Sequence, residues 1–107
     1  MMNTLTKTFE NADIRLTKIN NEVWWNLKDV CASLGMGKDN HKKIRNALPP
    51  NQVQLVTFFH QLDGKNYKML AVNRPGLLKF IWRSNKPNAM VFTNWCAEVI
   101  DEILQTG

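Results

Sequence analysis

Apolar and polar positions alternate with period two near the start of the chain. Phe9 leads into Ile14-Arg15-Leu16-Thr17-Lys18-Ile19, where Ile14 and Leu16 alternate with polar positions as in a half-buried strand. Asn20-Asn21-Glu22 is turn chemistry, because Asn tolerates left-handed backbone angles, and Val23-Trp24-Trp25 returns as a second strand. At Leu27 the period changes. Leu27, Val30, Cys31 and Leu34 fall at i, i+3, i+4 and i+7, one face of a short helix. Asn26 is a fitting N-cap with Asp29 in the first turn, and Gly35 is the natural stop. After the turn Met36-Gly37-Lys38-Asp39-Asn40, a second helix is predicted over residues 41–48, capped by Asp39 or Asn40. Its apolar side holds Ile44, Ala47 and Leu48, and Pro49-Pro50 ends it.

Period two then returns. Residues 53–59 and 67–72 are rich in β-branched and aromatic side chains, with Asp63-Gly64 as a turn signal between them. This predicts a second hairpin whose loop exceeds two residues. Its imperfect alternation predicts partial cover on both faces. Asn73-Arg74-Pro75 places Pro at the first helical position, followed by Leu77, Leu78, Ile81 and Trp82 at helical spacing. Ser84-Asn85-Lys86-Pro87 is a break and restart. A long stripe follows: Ala89, Phe92, Trp95 or Cys96, Val99, Ile100, Ile103 and Leu104. The order β-β-α-α-β-β-α-α predicts an α+β fold, a small antiparallel sheet or pair of hairpins packed with about four helices. No repeat, low-complexity tract or linker divides residues 1–107, so one domain is expected.

Charge adds a direction to this frame. Residues 1–97 carry all 14 basic residues and 6 acids, a balance of +8. Residues 98–107 carry Glu98, Asp101 and Glu102 and no base, a balance of −3. The densest basic run is Lys38-Asp39-Asn40-His41-Lys42-Lys43-Ile44-Arg45. A net +5 field on a small domain favours polyanions, above all nucleic-acid phosphates.

Other chemistries are poorly served. His41 and His60 have no nucleophilic partner in a recognisable motif, and Cys31 and Cys96 lack metal-ligand spacing. Gly35-Met36-Gly37-Lys38 falls short of a Walker loop. Hence no enzyme, catalytic residue, metal or cofactor is expected. The N-terminal MMNTLTKTFE has no apolar signal core, and no apolar run approaches a membrane span of ~20 residues. The two cysteines read as reduced core thiols, so the expected setting is cytoplasmic, with no membrane partner. Trp24 and Trp25 are neighbours on a strand and point to opposite faces. One of them therefore lies on a second buried surface or is exposed at an interface.

An ordered set of short motifs carries a family resemblance. The Ile14-Arg15 strand, Val23-Trp24-Trp25, Leu27-Lys28-Asp29-Val30-Cys31 and Leu34-Gly35 are followed by Asn73-Arg74-Pro75-Gly76-Leu77-Leu78. Then come Ser84-Asn85-Lys86-Pro87-Asn88-Ala89 and Phe92-Thr93-Asn94-Trp95. Over residues 9–107 this resembles the Bro N-terminal domain (Bro-N) of phage antirepressors and large DNA virus proteins. The resemblance implies a nucleic-acid-binding module of regulators of phage or viral gene expression, such as those of a lysogeny switch in a bacterial host cytoplasm. It also implies a fold of small sheet plus helices. Trp25 stands where Phe is common, and Arg74-Pro75 replaces a more usual Glu-x pair. Ile100-Asp101-Glu102-Ile103-Leu104 replaces Leu-Pro-x-Ile-Arg, and its acids argue against nucleic-acid contact by the last helix. Family members usually carry a further C-terminal domain. The chain is expected to be either a stand-alone regulator or a module of a longer one.

The expected partner is double-stranded DNA. Two short helices joined by a Gly-containing turn form a helix-turn-helix-like unit, with a turn longer than usual. Its second helix would present Lys38, Asn40, His41, Lys42, Lys43 and Arg45. Asn40 could read adenine and Arg45 guanine on reaching a major-groove edge. Lys65 and Lys68, with Asn66, form a second basic group at the later hairpin. Arg15 reads as structural, pairing with an acid. The alternative is a protein-interaction module that binds a repressor, or a homodimer, with Trp24, Trp25 and Trp95 as candidate anchors.

Overall fold

The computed structural model describes residues 4–37, 39–60, 62–84 and 89–105, without the side chains of residues 39, 40 and 82–84. It begins with a three-stranded meander: β1 (Thr4–Phe9), β2 (Ala12–Ile19) and β3 (Glu22–Asn26). Two-residue turns join the strands. Glu10 and Asn11 (φ 46° and 71°) link β1 to β2, and Asn20 and Asn21 (φ 51° and 64°) link β2 to β3. Positive φ at both central positions matches the right-handed twist of the flanking strands.

Two short helices follow, α1 (Leu27–Ser33) and α2 (Asp39–Ala47). The Asn26 side-chain carbonyl accepts the Asp29 N–H at 3.1 Å and caps α1. At the other end, Met36 N donates to Cys31 O (2.8 Å) and Gly35 N to Ala32 O (3.2 Å), with Gly35 at φ 73°. This paired closure needs a left-handed residue just past the helix, which Gly supplies without strain. A hairpin of β4 (Val53–His60) and β5 (Lys65–Val72) comes next, then α3 (Arg74–Ser84) and α4 (Ala89–Gln105).

The fold is α+β, as expected, with one strand more before the helices than the sequence pattern indicated. β1 escaped because only its last residue, Phe9, is fully buried. Its core-side position Lys7 reads as polar, yet it is held by Glu102 of α4 at 2.7 Å. Pro75 is the second rather than the first residue of α3, since Arg74 precedes it in the helix. The break at residues 85–88 lies outside the described residues.

The sheet order is β1-β2-β3-β5-β4, all antiparallel. The meander and the hairpin share only two register pairs, Trp25 opposite Val72 and Asn26 opposite Ala71. That short seam lets the hairpin swing across the meander. Phe59 N donates to Thr4 Oγ1 at 2.9 Å, so the two outermost strands of the order meet. Two apolar clusters result. The larger joins Ile14, Leu16, Trp25 and Val72 to α1, α3 and α4. The smaller holds Trp24, Val56, Phe58 and Ala71 beneath the folded-over hairpin, with Met69 at its edge.

Candidate nucleic-acid interface

α2 is anchored by Ile44 and Leu48, one helical turn apart and both buried. Ala47, expected on the same side, is exposed. At about 100° per residue, Lys42 points almost directly away from Ile44, while Lys43 and Arg45 flank it on opposite sides. All three are exposed, and His41 is half-buried. The cations therefore fan over a broad arc rather than form a single row. No carboxylate among the described side chains lies within ion-pair distance of any of them. Asn40 belongs to α2 by its backbone, but its side chain, like Lys38 as a whole, lies outside the described residues.

β5 places its two lysines differently from the expected single basic tip. Lys65 and Lys68 are exposed but three residues apart, and so on opposite faces of the strand. Lys68, opposite Thr57, shares a face with Asn66, Leu70, Leu55 and Phe59. That is the face turned toward α2. Arg45, Leu48 and Pro50 join Val53, Gln54, Leu55 and Leu70 around a groove of about 360 Å³. The fold thus brings Arg45 and Lys68 to one side of the molecule and leaves Lys65 on the other. The groove was the element missed from sequence. Its one legible signal was the period-two placement of Val53, Leu55 and Phe59 on a common face.

The hairpin tip is locally organised. Asp63 accepts hydrogen bonds from the Tyr67 hydroxyl and from Lys65 N (2.9 Å). The Tyr67 bond, then the Lys65 N–H, hold the Asp63 carboxyl below the usual carboxylate range, and the same Tyr67–Asp63 bond raises the tyrosine. His60 stacks edge-on to Tyr67 with centroids 6.0 Å apart. Gln61, in the loop, lies outside the described residues.

Two basic residues of the meander, Lys7 and Arg15, are engaged by acids. Arg15 Nε and Nη2 donate to the two Asp29 oxygens at 2.8 and 3.0 Å, and Arg15 N donates to Oδ2 at 3.0 Å. Continued one step, the β2–β3 register would set Arg15 opposite Asn26, where the chain turns into α1. Asp29 therefore occupies the place of the departing strand. Its hydrogen bond raises the Arg15 pKa above the ordinary value.

The tryptophan anchors are corrected. Trp25 is fully buried and Trp24 is 3% exposed, so neither is available to a partner. Both faces of β3 are covered, one by the helices and the other by the β4–β5 hairpin. Trp95 is half-buried among Phe9, Phe92 and Trp25, with centroids 5.4–5.9 Å apart. Cys31 and Cys96 are buried free thiols, and burial pushes Cys31 up to about 11 and Cys96 higher still. Among the described residues no helix is long and apolar enough to cross a membrane.

No curated protein and no solved structure matches the chain. Residues 13–104 match the family model described as the BRO family, N-terminal domain, which covers most of the chain. The chain belongs to that family, one associated with DNA-binding and phage antirepressor-like regulators.

Proposed function

We propose that this BRO-family domain binds double-stranded DNA within a phage or prophage antirepressor-like transcriptional regulator. In this reading α2 supplies the main contacts through Lys42, Lys43 and Arg45. Lys38, Asn40 and His41 stand at its N-terminal end, and Lys68 extends the same side. Lys65 contributes from the opposite face of the hairpin. The observation that supports it most is the division of the cations. Lys7 and Arg15 are engaged by acids, whereas the α2 cations project from a helix whose other side is fixed in the core. Cations already paired cannot release counterions from a phosphate backbone, but free ones can.

The arrangement suits phosphate positioning, with base reading limited to whichever side chains reach a groove edge. The broad fan of Lys42, Lys43 and Arg45 fits contacts to both walls of a groove. The test is duplex titration at several salt concentrations. Wild-type affinity should fall with salt by roughly 0.9 log units per log unit for each phosphate contacted. The combined Lys42→Ala, Lys43→Ala and Arg45→Ala variant should lower both the affinity and that slope. Its thermal stability should stay within about 0.5 kcal/mol, because the sites are exposed. Unchanged affinity in this variant sinks the assignment.

A further inference from the structure

β4 is the last strand of the sheet order; β1 reaches its outer edge at Phe59, through Thr4, and around Leu55 and Thr57 that edge carries none of the features that usually keep an edge from pairing. Its sequence, Val-Gln-Leu-Val-Thr-Phe-Phe-His, holds no Lys, Arg, Asp, Glu or Pro. The Phe59 N–H, which reaches Thr4, points away from β5. By strand alternation the N–H and C=O groups of Leu55 and Thr57 point the same way. Among the described residues β4 pairs with β5 alone, so none of these outward groups has a ladder partner. Beside them Leu55 is 61% exposed and Phe59 41% exposed, and the groove under Leu55 is apolar apart from Gln54 and a single cation, Arg45.

We propose that this edge and groove accept an extended peptide segment of a partner protein. The segment adds a sixth strand beside β4. On the face it shares with Leu55 it carries an apolar side chain for the groove and a carboxylate for Arg45. Strand addition supplies affinity through main-chain hydrogen bonds and selectivity through alternate side chains. Charge complementarity selects the acidic residue, because Arg45 and Lys68 border this face and meet no carboxylate among the described side chains. A second copy of the chain is disfavoured by the same charges, since it would bring like cations together. A DNA backbone is disfavoured by the edge itself. Phosphate oxygens only accept hydrogen bonds, so the outward carbonyls of Leu55 and Thr57 would repel them. This inference shares Arg45 and Lys68 with the DNA reading but is carried by the β4 edge, which that reading does not use.

The probe is an acetylated, amidated octapeptide, Thr-Leu-Thr-Glu-Thr-Leu-Thr-Glu, compared with its counterpart in which Lys replaces Glu. Binding to the whole chain is followed by fluorescence anisotropy and amide NMR. The acidic peptide should bind about tenfold more tightly than the basic one and shift the Leu55 and Thr57 amides. Arg45→Glu should reverse that preference. Leu55→Lys should weaken binding about tenfold, as an edge lysine does. Thr57→Pro removes only an outward donor, and should weaken peptide binding about fivefold with duplex affinity unchanged. Four results would overturn the proposal. They are equal binding of the two peptides, no shift at Leu55 and Thr57, the same amides shifted by duplex DNA, or a dimeric mass with those amides protected in the free protein.

Discussion

Arg15 and Arg45 are the same residue type on one small domain, and the fold uses them in opposite ways. Arg15 sits where a strand ends and a helix begins, with Asp29 across from it at 2.8 and 3.0 Å. Arg45 sits on the flank of α2, beside an open groove, with no acid among the described side chains near it. The contrast extends to their surroundings. In the meander and at the junction that follows β5, polar groups are engaged within the fold: Lys7 by Glu102, Asn26 by the start of α1, and Asn73 by Glu22, Asn51 and Gly76. Around α2 and β4–β5, the charged ends of Lys42, Lys43, Arg45, Lys65 and Lys68 meet no carboxylate among the described side chains, and apolar side chains such as Leu55 and Phe59 remain exposed. A basic residue's worth to a partner is therefore set by whether an acid reaches it first. Composition alone is silent on that.

The widest break in this contrast should come from Arg15→Ala. It leaves Asp29, whose side chain is only 14% exposed, without its main partner. A loss of about 2–3 kcal/mol in urea unfolding is expected, with the duplex affinity of the folded protein unchanged. A large affinity loss at full folding would erase the distinction between structural and available arginines.

The joint between the two regions can be broken separately. Asn73 caps α3, its side-chain oxygen accepting Gly76 N at 3.2 Å, and its own N–H donates to Gln52 O at 3.2 Å just before β4. A Cβ on Gly76 would stand 2.7 Å from that same Gln52 carbonyl oxygen, which is backbone and cannot swing aside. Gly76→Ala should cost about 1–3 kcal/mol. Amide exchange should rise at the start of β4 more than in β1 and β2. Uniform exchange across the sheet would show that the two regions open as one.

The smallest effect expected is at the hairpin tip. Asp63 titrates below the ordinary carboxylate range because Tyr67 and Lys65 N hydrogen-bond its charged form. A lowered folded-state pKa contributes stability above the unfolded pKa, and that contribution disappears as pH falls through the folded value. The tip should therefore loosen as the pH falls below about 4, seen as loss of Tyr67 ring order and faster Lys65 amide exchange. Asp63→Asn should remove the dependence. A tip that stays equally ordered down to pH 2 would contradict it.

Short-range physics was readable in the sequence. The Asn20-Asn21 turn, the Asn26 cap, the Gly35 stop, the apolar stripe of α4 and the hairpin around Asp63-Gly64 each depend on residues a few positions apart. Backbone preferences and side-chain period suffice to place them. The pairing of Arg15 with an acid was legible as a type of role, though not the identity of Asp29. The family resemblance followed the same local motifs, and residues 13–104 match that family.

Only the tertiary structure decided the rest, because each remaining feature joins residues far apart in the chain. β1 is held by pairing and by Lys7–Glu102, 95 residues apart, while its own pattern buries little. Trp24 is covered by a hairpin 30 residues downstream, through a seam of two register pairs that no local pattern encodes. The groove beside Arg45 exists because α2 and β4–β5 meet there. The sequence by itself determined the elements and the excess of positive charge. Long-range packing determined which charges were spent on the fold and which were left for a partner.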